Sequence, residues 1–83
     1  MKGKNMKLKL YYYMACPYCR KVVNYLKNQD FEVEFADIKE NIEFREELIA
    51  IGGKSQVPCL SIDGIPLYES DDIIQWFEDH ISP

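Results

Sequence analysis

Apolar and polar residues alternate early in the chain. Leu8, Leu10 and Tyr12 interleave with Lys7, Lys9 and Tyr11, the period-two pattern of a strand. The period then changes: Cys19, Val22, Val23 and Leu26 recur at helical spacing, with Arg20, Lys21, Asn24 and Lys27 between them. Pro17 precedes this run, where its missing N–H has no intrahelical partner to lose, so a helix is predicted from about Pro17 to Asn28. Phe31, Val33 and Phe35 alternate with Glu32 and Glu34 and predict a second strand. Phe44, Leu48 and Ile51 share one face of a second helix, which Gly52-Gly53 ends. Val57 to Ile62 reads as a third strand with Pro58 near its start, Asp63-Gly64 as a hairpin turn, and Ile65 to Tyr68 as the returning strand. Ser70 can cap a last helix, with Asp71 and Asp72 at the positive end of its dipole and Ile73, Ile74, Phe77 and Ile81 on its buried face.

The predicted order is β-α-β-α-β-β-α. The opening strand–helix–strand unit supplies a parallel pair with a crossover, and the hairpin adds an antiparallel pair. The expected fold class is therefore α/β, a four-stranded mixed sheet with three flanking helices. Eighty-three residues make one domain, 1–83, for which a two-layer core is the expected limit.

Composition narrows the function classes. A formal net charge of −4 argues against a nucleic-acid partner, which needs clustered Lys and Arg. The one basic run, Lys2, Lys4, Lys7 and Lys9, reads as a solvated tail leading into a strand. No apolar run approaches the roughly 20 residues that cross a bilayer, and Lys7 and Lys9 interrupt any signal-peptide core. No membrane partner and a cytoplasmic location are the expectations.

Three cysteines cannot make a full disulfide framework, and Cys16 and Cys19 stand three positions apart. In a reducing compartment such a pair is redox-active or metal-binding more often than structural. Zinc wants four ligands, and beyond the pair only Cys59 and His80 remain; His80, beside Glu78 and Asp79, reads as a solvated helix-end residue. Redox chemistry fits the position better. Cys16 falls at the junction of a strand and a helix, where unpaired N–H groups and the dipole favour a thiolate, the attacking species in exchange. Cys19, within the first helical turn, is close enough to resolve a mixed disulfide formed by Cys16. Neither a metal nor a tightly bound cofactor is expected.

At these residues the chain resembles the glutaredoxin family, over about Leu8 to Ile81. Cys16-Pro17-Tyr18-Cys19 matches the dithiol active site of that family residue for residue, and Gln56-Val57-Pro58 looks like its Thr-Val-Pro segment, whose proline is cis. The resemblance implies a thioredoxin-like fold and glutathione as co-substrate. It implies that Tyr18 lies beside glutathione, that Val57 next to Pro58 pairs with its cysteinyl backbone, and that Arg45 meets its glycine carboxylate. Ser70 and Asp71 match the segment that holds the γ-glutamyl end through helix N–H groups and a carboxylate. Glu69-Ser70, followed by Asp72 and Ile73, also looks like the Glu-Ser element of the glutathione transferase N-terminal domain. Tyr13 stands where the family commonly carries a Lys that touches glutathione and stabilises the thiolate. Cys59, by strand alternation, is expected to face the core as a small hydrophobe.

The resemblance thus implies an enzyme, a monomer, that reduces protein disulfides and protein–glutathione mixed disulfides. Two alternatives remain open at this level. One is a dedicated redoxin reduced by thioredoxin reductase, serving an acceptor such as ribonucleotide reductase. The other is a glutathione-ligated iron–sulfur carrier, which Pro17 disfavours.

Overall fold

The central strand β1 (Leu8–Tyr12) pairs on both sides, and the rest of the chain is arranged around it. The computed structural model describes residues 6–80, so Lys2 and Lys4 of the basic run and Ile81 of the last helix lie outside the described residues. After β1 come α1 (Pro17–Lys27), β2 (Glu34–Asp37), α2 (Ile42–Gly52), β3 (Cys59–Ile62), β4 (Ile65–Tyr68) and α3 (Ser70–His80). The sheet order is β2-β1-β3-β4. β1 and β2 run parallel, whereas β3 is antiparallel to β1 and to β4. This is the predicted four-stranded mixed sheet with three helices, a thioredoxin-like fold.

Strand alternation divides the core in two. Leu10 and Leu60, opposite each other in register, join Val22, Val23 and Leu26 of α1 and Ile73 and Phe77 of α3. Tyr11 and Cys59, the next pair, face the other way and pack with Ala36, Ile38 and Leu48 of α2. The sheet is therefore covered on both faces, giving three layers where size alone suggests two. Cys59 is fully buried, as its alternation predicts, and burial pushes its thiol up from the ordinary value.

Two elements differ from the sequence pattern. The second strand begins only at Glu34, where pairing with Lys9 starts; Phe31 and Val33 precede it and pack against the α1/α3 core from irregular backbone. Phe35 lies at the sheet edge, 43% exposed, edge-to-face with Tyr12, and the buried positions are Ala36 and Ile38. The third strand begins at Cys59 rather than Val57, after a cis Val57–Pro58 bond.

Turns and caps fix the connections. Asp63 and Gly64 both have positive φ, the mark of a tight hairpin turn, and Asp63 exchanges backbone and side-chain hydrogen bonds with Lys7. Gly53, at φ 81, ends α2 by donating its N–H to the Ile49 carbonyl at 2.7 Å. Gly52 has another reason to lack a side chain: a Cβ there would overlap the Tyr68 hydroxyl.

Candidate active site

β1 ends at Tyr12, and the chain turns sharply before α1. Cys16 N–H donates to the Tyr13 carbonyl at 3.2 Å, and Arg20 Nη1 donates to the Met14 carbonyl at 2.8 Å, holding the turn from both sides. Cys16 is the N-cap of α1, and its Sγ accepts the N–H of Cys19 at 3.4 Å. Sulfur thus takes the place that a hydroxyl or carboxylate oxygen usually holds at a helix start. The same N–H and the positive end of the α1 dipole face that sulfur.

The two thiols of the motif have different surroundings. Cys16 is half-buried, Cys19 has no exposed surface, and Cys16, Cys19 and Cys59 are all free thiols. Burial, reinforced by the neighbouring Cys16 sulfur, pushes the Cys19 thiol up to about 12. At neutral pH Cys19 is therefore a protonated reserve behind an accessible partner. Among the described residues no three His, Cys, Asp or Glu side chains converge to hold a metal.

Beside the motif lies a cleft of about 520 Å³, lined by Tyr18, Gln56, Val57, Pro58, Glu69, Ser70, Asp71 and Asp72. Three segments distant in sequence meet there. Tyr18, on the first turn of α1, is 65% exposed; Val57 and Pro58 form the wall before β3; Glu69 to Asp72 open α3. The structure thus gathers five of the predicted binding residues, Tyr18, Val57, Pro58, Ser70 and Asp71, into one wall. Arg45 is exposed on α2 and is not among the lining residues.

The start of α3 differs from expectation. Ser70 is the first helical residue and is buried, whereas Glu69 precedes it with φ 76 and accepts the Ile73 N–H. Glu69 therefore occupies the cap position expected for Ser70, in a backbone region that side chains seldom adopt. Gln56 Nε2 donates to its carboxylate at 3.4 Å across the cleft.

Two cations near the site escape the sequence pattern. Lys21 of α1 forms an ion pair and hydrogen bond with Asp71 of α3. Lys39 holds its Nζ 5.0 Å from the ring centre of Tyr13. The periodicity shows Lys21 only as a polar position of α1; that α3 returns beside it is a tertiary fact.

The chain matches the family described as glutathione S-transferase, N-terminal domain, over residues 10–83. It is 32% identical over 57 residues to an uncharacterized glutaredoxin-like 8.6 kDa protein encoded in a rubredoxin operon of Clostridium pasteurianum, a match covering 69% of this chain and 76% of that one. Its fold superposes on glutathione transferase Omega 3C from Trametes versicolor with a TM-score of 0.77 at 23% identity, covering 96% of this chain; the chain spans 37% of the transferase. Glutaredoxin C1 from Populus tremula x tremuloides gives a TM-score of 0.66 at 17% identity, covering 88% of this chain and 75% of that one. At such identities the structural likeness speaks for the fold.

Proposed function

Because the chain belongs to the family of glutathione S-transferase N-terminal domains and is glutaredoxin-like, we propose that it is a glutathione-dependent thiol–disulfide oxidoreductase working through Cys16 and Cys19. The observation that carries this reading is the unequal placement of the two sulfurs. Cys16 caps a helix and is accessible, while Cys19 is sealed beneath it as a thiol.

The Cys16 thiolate attacks the glutathionyl sulfur of a protein–glutathione mixed disulfide. A Cys16–glutathione disulfide forms and the substrate leaves as a thiolate, which takes up a proton. The thiolate of a second glutathione then attacks the glutathionyl sulfur on Cys16, releasing oxidised glutathione and restoring Cys16. For a protein disulfide, Cys16 attacks one sulfur and the other leaves as a thiolate that takes up a proton; Cys19, after losing its proton, attacks the Cys16 sulfur and releases the second substrate thiolate. Two glutathione thiols then reduce the Cys16–Cys19 disulfide and leave as oxidised glutathione. Glutathione is the co-substrate, and no tightly bound cofactor takes part. In the cleft, Tyr18 would flank the tripeptide, Val57 would offer its backbone N–H and carbonyl beside Pro58, and Ser70 and Asp71 would receive the γ-glutamyl end. The protein would act as a monomer in the cytoplasm, where thiols are kept reduced.

One observation favours a second reading, a redoxin reduced by thioredoxin reductase. The cleft is lined by Glu69, Asp71 and Asp72 but by no Lys or Arg, and Arg45 stands outside it, an unfriendly surface for an anionic tripeptide. A coupled assay separates the two. With a glutathionylated peptide as substrate, NADPH consumption through glutathione plus glutathione reductase should be saturable in glutathione. Consumption supported by thioredoxin reductase alone would replace the first reading by the second.

A further inference from the structure

Resting on the glutathione reading, we propose that Lys21 is the specificity-determining residue for the γ-glutamyl end of the ligand. Together with Asp71 it forms a two-charge receptor for the zwitterionic amino-acid group. Lys21 lies one turn beyond Tyr18 on α1, so the two share a helix face. The Lys21 ammonium bonds to Asp71, in the first turn of α3 and on the cleft wall. The pair is not there for the fold: its side chains are 52% and 81% exposed, and exposed pairs contribute little to stability. α1 and α3 are already held by Phe77 against Val22, Val23 and Leu26, and by the Tyr25–Glu78 hydrogen bond at 2.6 Å.

Charge decides what the pair does for a ligand. The lining side chains include three carboxylates and no cation, so a ligand carboxylate entering here meets like charge from Glu69, Asp71 and Asp72. The unpaired N–H groups at the start of α3 offer some attraction. Lys21 is the cation placed at this rim. A γ-glutamyl group presents an ammonium and a carboxylate on one carbon. Set against the pair, its ammonium meets Asp71 and its carboxylate meets Lys21, so that opposite charges alternate around the contact. Asp71 alone would accept any amine; the pair selects a group carrying both charges.

The test measures the kinetics of the full chain toward a glutathionylated peptide, whose glutathionyl group enters the cleft, at fixed glutathione, for wild type, Lys21→Ala and Lys21→Arg. It is repeated with the peptide carrying, in place of the glutathionyl group, one of two analogues: γ-aminobutyryl-cysteinyl-glycine, which lacks the α-carboxylate, and glutaryl-cysteinyl-glycine, which lacks the ammonium. Lys21→Ala should raise KM for the glutathionylated peptide about fivefold, as an exposed charge contact of about 1 kcal/mol implies. It should leave kcat near wild type, and Lys21→Arg should restore KM. With the analogue lacking the carboxylate, wild type and Lys21→Ala should coincide; with the analogue lacking the ammonium, they should still differ. A lower KM in Lys21→Ala would show that Lys21 only blocks Asp71, and an equal change for all three mixed disulfides would show a merely structural role. Either result overturns the proposal while the glutathione reading stands. A wild type that shows no saturable use of glutathione removes the parent reading and this one together.

Discussion

On the proposed mechanism, Cys19 sets the balance between the two redox routes. Resolution of a protein mixed disulfide requires its thiolate, and a thiol pushed up to about 12, chiefly by burial, supplies little of that form at neutral pH. Direct reduction of protein disulfides should therefore accelerate with pH by about tenfold per unit through the neutral range, following the Cys19 thiolate fraction. Stopped-flow fluorescence on a disulfide peptide would read it; a flat profile would mean that Cys19 is deprotonated by something nearby. Cys19→Ser should abolish this reaction and retain turnover of small glutathione mixed disulfides, which needs Cys16 alone; equal loss of both in steady-state assays would contradict the division of roles. The cysteine pair was legible in the sequence because its spacing and its strand–helix position are local properties. Lys21 and Glu69 were not legible as they act. The first depends on a residue 50 positions away, the second on a left-handed backbone that no side-chain pattern announces.

At the scale of elements, α2 and β4 approach closely where Gly52 faces Tyr68. Gly52 leaves room for the Tyr68 ring, and a methyl group there would overlap the Tyr68 hydroxyl. Gly52→Ala should cost about 1–3 kcal/mol, the range for overpacking a well-filled site, measured by urea denaturation. That hydroxyl is buried without a hydrogen-bond partner of ordinary geometry, with the weakly accepting Cys59 thiol as neighbour. Tyr68→Phe should therefore be neutral or stabilising, since it removes an unsatisfied group, and should relieve part of the Gly52→Ala penalty. A marked loss of stability in Tyr68→Phe would show that the hydroxyl has a partner. Element order and helix limits followed from periodicity and Gly-Gly and Asp-Gly punctuation. The start of β2 did not, because Phe31 and Val33 alternate like strand residues. The parallel ladder starts where Lys9 pairs with Glu34, although Leu8 precedes Lys9 in β1.

Over the whole molecule, several buried or paired acids keep their protons longer than they would in the unfolded chain. Cys19 and Tyr25 are pushed up to about 12 from ordinary values of 9.0 and 10.0, Tyr25 by burial and its bond to Glu78, and Tyr11, Tyr12, Cys59 and Tyr68 are also raised. For each, the folded state binds the proton more tightly, so the stabilisation is full below the unfolded value and is lost as pH rises toward the folded one. The melting temperature should hold steady to about pH 9 and fall between roughly pH 9 and 12, more gently in Tyr25→Phe; a melting temperature rising with pH across that window would reverse the sign. On the proposed mechanism, Cys16 carries the glutathionyl group between substrate and glutathione. The most direct test is to mix Cys19→Ser protein with a glutathionylated peptide, quench, and map the modified cysteine by mass spectrometry. One glutathionyl group is expected, on Cys16, and it should disappear on adding glutathione as oxidised glutathione accumulates; an adduct on Cys59, or none while the peptide is still reduced, would contradict this role of Cys16.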